Sequence, residues 1–132
     1  MNRRIVNPWT WQEEYGFVQG IEVSGAQRTL ICSGQASQDA DGTPLHAGDM
    51  AAQTARAMGN LVTLLEAAGF QLSDVVRLNI LTTDVDRFLA EGAEVWGGRL
   101  AQAECRPATT LLGVARLAFP ELLVEFEATA VA

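Results

Sequence analysis

The chain contains no lysine, a single histidine, two cysteines and no long apolar run, and each shortage closes a class of function. All nine cationic side chains are arginines, scattered from Arg3 to Arg116, and the net charge is −7. A nucleic-acid binder gathers basic side chains to neutralise phosphates. This composition supplies no such patch, so no nucleic-acid partner is expected. His46 stands alone, which excludes a histidine-based triad or a multi-histidine metal site within one chain. A solvated loop is expected for it, and no metal or other cofactor. Cys32 and Cys105 lie far apart without CxxC spacing and read as isolated thiols of a reducing compartment, hence a cytoplasmic protein. No stretch approaches the ~18 apolar residues of a membrane span. Met1 to Thr10 lack the apolar centre of a signal peptide, so neither membrane insertion nor export is expected.

What the sequence does hold is enough for one folded domain. Its 132 residues are 48% hydrophobic and 19% charged, within the range of single globular domains. Residues 1–14 read as an N-terminal flap that carries Trp9 and Trp11, two apart and on one face of an extended segment. Two readings are open there: an anchor on the domain surface, or an indole that closes over a cleft. Phe17 to Val23 and Thr29 to Ser33 read as strands joined through the turn residues Ser24 to Gln27, a predicted hairpin. Asp-Gly at Asp41-Gly42 marks a second turn.

Asp49 is a good N-cap. Behind it Met50, Thr54, Ala57, Met58, Leu61, Leu65 and Ala68 recur at helical spacing until Gly69 closes the segment. Val75 to Thr82, rich in β-branched and aliphatic residues, reads as a buried strand. Asp84 or Asp86 caps a second helix carrying Phe88, Leu89, Val95, Trp96 and Leu100, weakened by Gly92, Gly97 and Gly98. Thr110 to Ala115 and Leu122 to Val131 complete the strands. The order predicts an α+β fold: one mixed sheet of about six strands with two α-helices on one face.

Two helices leave the other face of such a sheet bare. The last strand places Val124, Phe126, Ala128 and Ala130 on one side and Leu123, Glu125, Glu127, Thr129 and Val131 on the other. A bare face with aliphatic residues calls for a partner, so a homo-oligomer built sheet to sheet is expected.

Several fragments, in order and at matching spacing, resemble the Rid family, also called YjgF or L-PSP. They are Phe17-Val18-Gln19-Gly20, Ser33-Gly34-Gln35, Ala52-Gln53-Thr54 with Asn60-Leu61, and Leu65 to Gly69. Asp74-Val75-Val76, Leu81 to Asp84 with Phe88, Arg106-Pro107-Ala108, Val114 to Leu117 and Val124 to Ala128 continue the match. The resemblance implies a chorismate-mutase-like trimer with sheets inside, helices outside and a small-molecule cleft at each subunit interface. It also implies hydrolysis of reactive enamines or imines.

Carried over position by position, the resemblance implies a site of Phe17, Ser33, Gly34, Thr109, Thr110, Leu111 and Glu125. Phe17 keeps the ring of the family's tyrosine without its hydroxyl. Glu125 corresponds to the glutamate that helps position the attacking water. Gly92 replaces an asparagine. Thr109 stands where active members carry the arginine that grips a substrate carboxylate, a planar fork of donors that a hydroxyl cannot reproduce. Arg106 is a candidate replacement. The cleft is therefore expected to favour a neutral or less anionic ligand. Three functions follow from the resemblance: an enamine/imine deaminase of altered scope, a non-catalytic small-molecule-binding or metabolite-sensing homologue, and a ribonuclease or translation inhibitor. The last sits badly with an acidic, lysine-free chain. Cys105, beside Arg106, is expected to be a structural thiol.

Overall fold

In a computed structural model describing residues 1–132, the longest helix, α1 (Met50–Ala67), starts where its cap predicts. The Asp49 side chain accepts a hydrogen bond from the Ala52 backbone N–H at 3.0 Å, satisfying one of the donors that a helix start leaves free. At the other end Gly69 adopts φ +76°, the left-handed conformation that favours glycine. Arg28 donates to the carbonyl of Ala68 and lays its guanidinium 4.3 Å from the centre of the Phe70 ring. The buried face of α1 contains the predicted stripe from Met50 to Leu65 and adds Gln53, while Ala68 falls just past the helix as its half-buried C-cap.

Gln53 was invisible to a hydrophobic pattern, yet it is fully buried. Its Oε1 accepts from the Leu123 N–H at 2.8 Å, and its Nε2 donates to the carbonyls of His46 and Glu121 at 3.1 and 2.8 Å. A buried amide is tolerable only when satisfied in this way. It ties α1 to the segment that leads into the last strand.

The main sheet has five strands: β3 (Thr29–Ile31), β7 (Val124–Val131), β5 (Val75–Thr82) and β6 (Ala108–Gly113) in that order, with β4 (Gln35–Ala36) also on β7. The β5–β6 pair is parallel and the others antiparallel. Beside it lies a two-stranded ribbon of β1 (Asn2–Val6) and β2 (Gly20–Ser24). The expected α+β class and its helix-covered sheet are therefore present. The predicted hairpin is not: β2 pairs with β1, and β3 pairs with β7. Gly25, at φ +71°, redirects the chain, and the N–H groups of Gln27 and Arg28 both donate to the Ala132 carbonyl at 2.9 Å. Residues 2–6 of the expected flap are consequently a strand. Arg3 pins that strand to the main sheet through the carbonyls of Ser73 and Val131, at 2.8 and 3.0 Å.

The second helix is continuous but not uniform. It runs as α2 (Val85–Arg87), a wider π turn over Phe88–Gly92, and α3 (Ala93–Gln102). Asp84 is the cap, accepting from the Arg87 N–H at 3.0 Å. Gly92 occupies the π turn because nothing larger fits. A Cβ there would lie 2.8 Å from Thr54 Oγ1 and 2.7 Å from the Phe88 ring.

The core lies between these helices and one face of the sheet. Leu78, Ile80, Val124, Phe126, Ala128 and Ala130 meet Met58, Leu61, Leu65, Phe88 and Leu100, all buried. Phe88 and Phe126 pack edge to face, with centroids 6.4 Å apart. No helix is long and apolar enough to cross a membrane.

Candidate functional site

The β5–β6 register decides where the predicted site residues point. Thr109 is paired with Leu78, Thr110 with Asn79 and Leu111 with Ile80. Leu78 and Ile80 face the helices. Side chains alternate across a strand, so Thr109 and Leu111 also face the helices and Thr110 faces away.

On the helix side, Thr109, Leu111 and Ile80 form the floor of a cavity of about 540 Å³. Phe88, Leu89, Ala93, Glu94, Trp96 and Gly97 of the second helix supply one wall. Trp11, Glu14, Tyr15 and Phe17 supply the other. The second wall is held in place by the backbone: Val18 N–H donates to the Pro107 carbonyl at 3.3 Å, and Val18 bridges Ala108 in parallel register. Phe17 is thereby set beside β6, and Trp11 packs on it edge to face at 5.9 Å. A short 3-10 turn, Glu13–Tyr15, ends at Gly16 with φ +77° and presents Tyr15 to the cavity.

No cation lines this cavity; its charged residues are Glu14 and Glu94. Arg106 and Arg116 are exposed and are not among the lining residues, so Arg106 does not restore a guanidinium within the chain. The Thr109 hydroxyl donates to the Pro107 carbonyl at 3.3 Å.

The opposite face of the sheet has a different character. Glu125 pairs with Leu81 on β5 and with Ala36 on β4. Its carboxylate rests directly on the backbone of Gly34, where a Cβ would come within 1.9 Å of Oε1 and 2.4 Å of Cδ. Only glycine permits that approach. Burial, and secondarily the neighbouring Glu127 charge, raise the Glu125 pKa above the ordinary carboxylate value. None of the three ion pairs, Arg3–Asp74, Arg4–Glu22 and Arg87–Glu91, involves Glu125. Glu127 accepts from Asn79 Nδ2 at 2.9 Å, and Thr110 Oγ1 accepts from Arg77 Nη2 at 2.7 Å. Ser33 is exposed beside Gly34.

The seven predicted site residues thus fall into two groups. Phe17, Thr109 and Leu111 line the helix-side cleft; Ser33, Gly34, Thr110 and Glu125 belong to the other face. Thr110 is not a cleft neighbour of Leu111, because the pleat turns it toward Arg77. Gly92, in the place of the family's asparagine, sits in a tight contact with Thr54 and Phe88. Sequence reasoning missed Tyr15, Trp96, Glu14 and Glu94. Of the two flap tryptophans, Trp11 does line the cleft, whereas Trp9 does not.

The remaining candidates lie outside the cleft. His46 is exposed, with φ 61°. Cys105 is buried beneath the Val75 carbonyl, and burial pushes its pKa up to about 11, outweighing the nearby Arg3 charge. No three His, Cys, Asp or Glu side chains converge into a metal-binding group.

Comparison with known proteins places this architecture among relatives. The family model described as Endoribonuclease L-PSP matches residues 12–132. A RutC family protein of Pyrococcus horikoshii is 33% identical over 101 residues, 76% of this chain and 77% of its own. A 2-iminobutanoate/2-iminopropanoate deaminase of Salmonella typhimurium is 30% identical over 115 residues, 87% and 86% of the two chains. Among solved structures, a Rid-family protein of unknown function from Yersinia pestis has a TM-score of 0.84 at 35% identity, covering 100% of both chains.

Proposed function

The chain belongs to the Endoribonuclease L-PSP, or Rid, family, and on that premise we propose that it hydrolyses a reactive imine or enamine lacking a carboxylate. The observation that carries the reading is the division of the site: an apolar, cation-free cleft on one face of the sheet and the Glu125–Gly34 pair on the other. The two halves come together when the Glu125 face of one subunit meets the cleft face of the next. Contact between unlike faces is heterologous and forms a ring where its rotation closes, which favours the trimer over a two-fold dimer, where like faces meet. The deaminase named above supports the chemistry as a relative.

In this arrangement the cleft orients the substrate and Glu125 holds a water. As that water adds to the imine carbon, the carboxylate takes its proton. The carbon–nitrogen bond of the resulting carbinolamine then breaks. With the imine protonated on nitrogen at the start, Glu125 returns the water's proton to that nitrogen, which leaves as an amine or ammonia, and the hydroxyl proton passes to the freed carboxylate, so a carbonyl remains. A carboxylate with a raised pKa is a better base for this step. Imine hydrolysis is intrinsically easy, so positioning is the main contribution.

Thr109 sets the scope. Losing a charge-assisted bidentate contact costs about 2–3 kcal/mol, or roughly 30- to 150-fold in binding. Two cleft carboxylates add repulsion for an anion. RNA cleavage gains no support from a chain of net charge −7 with dispersed arginines.

The test is hydrolysis of freshly generated imines, using an oxidase source and a semicarbazide trap, for wild type and Thr109→Arg. Wild type is expected to act on carboxylate-free imines, and Thr109→Arg to shift preference toward 2-imino acids. Wild-type preference for 2-imino acids contradicts the proposed scope. Inertness of both proteins on every imine replaces hydrolysis with a non-catalytic binding role.

A further inference from the structure

The cleft is more than neutral, and we infer that it selects a small organic cation: a protonated amine, an iminium or a quaternary ammonium group. This names the substrate class of the proposed site and rests on the reading of the cleft as the ligand-binding half of that site.

Three independent observations point the same way. The first is the ring content of the walls, where Trp11, Tyr15, Phe17 and Trp96 converge on one cavity of about 540 Å³. Aromatic faces carry a negative quadrupole and attract a cation within about 6 Å, and such cages are a recurrent solution for ammonium recognition. The edge-to-face packing of Trp11 on Phe17 fixes part of this wall before any ligand arrives. The second is charge: Glu14 and Glu94 stand on opposite walls, and no arginine balances either within the cavity. Neither carboxylate takes part in any of the chain's ion pairs. The third is the floor. The Thr109 hydroxyl lies 3.3 Å from the Pro107 carbonyl, and with its proton turned that way its oxygen lone pairs meet a ligand. Lone pairs suit an N–H⁺ donor and repel a carboxylate.

Aromatic side chains alone also fit an ordinary hydrophobic ligand. The unbalanced carboxylates distinguish the cation, and the hydroxyl lone pairs can accept from it. An imine protonated on nitrogen is such a cation and is also the form that water attacks most readily. Selection of charge and readiness for hydrolysis therefore coincide.

The test uses three probes of one shape: choline, its uncharged isostere 3,3-dimethylbutanol, and 3,3-dimethylbutanoate. Binding to the intact oligomer is measured by calorimetry at low and high salt. Choline is expected to bind about tenfold more tightly than the alcohol, and the carboxylate not at all. Glu14→Gln with Glu94→Gln should erase the preference and its salt dependence, and Trp11→Ala should weaken choline specifically. Equal affinity for choline and the alcohol, or tighter binding of the carboxylate, overturns the inference. Glu125→Gln separates the two claims: it is expected to stop imine hydrolysis and retain the preference for choline over the alcohol, which Glu14, Glu94 and the ring walls supply. Hydrolysis of neutral imines without choline selectivity sinks the cation inference alone. Choline selectivity without hydrolysis of any imine sinks the catalytic reading alone.

Discussion

The two faces of the sheet solve opposite problems. On the helix side Leu78, Val124, Phe126 and Ala130 are entirely or almost entirely buried under residues of the same chain. On the other side the same strands present Arg77, Asn79, Glu125 and Glu127, and β3 leaves Ile31 80% exposed. The first face is complete within one chain, apart from the cleft at its margin. The second combines a half-buried carboxylate, paired polar groups and an uncovered aliphatic side chain, which fits a surface awaiting another subunit. Stability is thus concentrated on one face, and the Glu125 carboxylate sits on the other, where substitution leaves the core intact.

The largest expected effect sharpens that contrast. Glu125→Gln should lower imine hydrolysis by roughly 10²- to 10⁴-fold without loss of thermal stability. The direction of the pKa shift sets the pH dependence. The folded protein holds the Glu125 proton more tightly than the unfolded chain does. Stability from this group is therefore complete below the ordinary carboxylate pKa and is lost as pH rises through the raised value. Glu125→Gln should leave stability unchanged at low pH and equal or increase it at neutral pH. Wild-type activity should fall as pH drops through the raised pKa; an acid limb at the ordinary carboxylate value would contradict that.

Next in size are paired truncations on the two faces. Phe126→Ala should cost about 3–5 kcal/mol in denaturant unfolding, since it removes a fully buried ring. Arg77→Ala, on the exposed side, should cost under about 1 kcal/mol in unfolding.

The two tightly packed glycines give a subtler test. Gly92→Ala meets Phe88 and Thr54, and Gly34→Ala meets Glu125. Each should destabilise by about 1–3 kcal/mol. Only Gly34→Ala should also abolish hydrolysis, because it displaces the carboxylate. The smallest effect concerns Cys105. With its pKa pushed up to about 11, it should resist iodoacetamide at pH 8 until the chain is unfolded. Rapid native-state labelling, followed by mass spectrometry, would contradict this placement.

Much of this was legible from residue types. The Asp49 and Asp84 caps, the α1 stripe and the alternation of the last strand each express a local rule, and each is found in place. The β2–β3 hairpin failed because turn residues signal a change of direction without naming the partner. The pairing of β2 was settled by β1, which sat in a segment read as a flap. The cleft was half legible. Phe17, Thr109 and Leu111 came from the family resemblance, while Trp96 was read only as an apolar residue of the second helix and Glu14 only as the end of the flap. The two-sided arrangement of the site came from strand register, which one sequence does not state: a shift of one residue would exchange Thr109 with Thr110.

The most direct test of a site shared between subunits is complementation by mixing. Glu125→Gln keeps an intact cleft but lacks the base; Leu111→Trp fills the cleft but keeps the base. The two proteins are unfolded, mixed in equal amounts and refolded together, and imine hydrolysis is measured. If the cleft of one subunit works with Glu125 of the next, statistical assembly restores about a quarter of wild-type sites. If the mixture remains as inactive as either variant alone, the site is not divided between subunits.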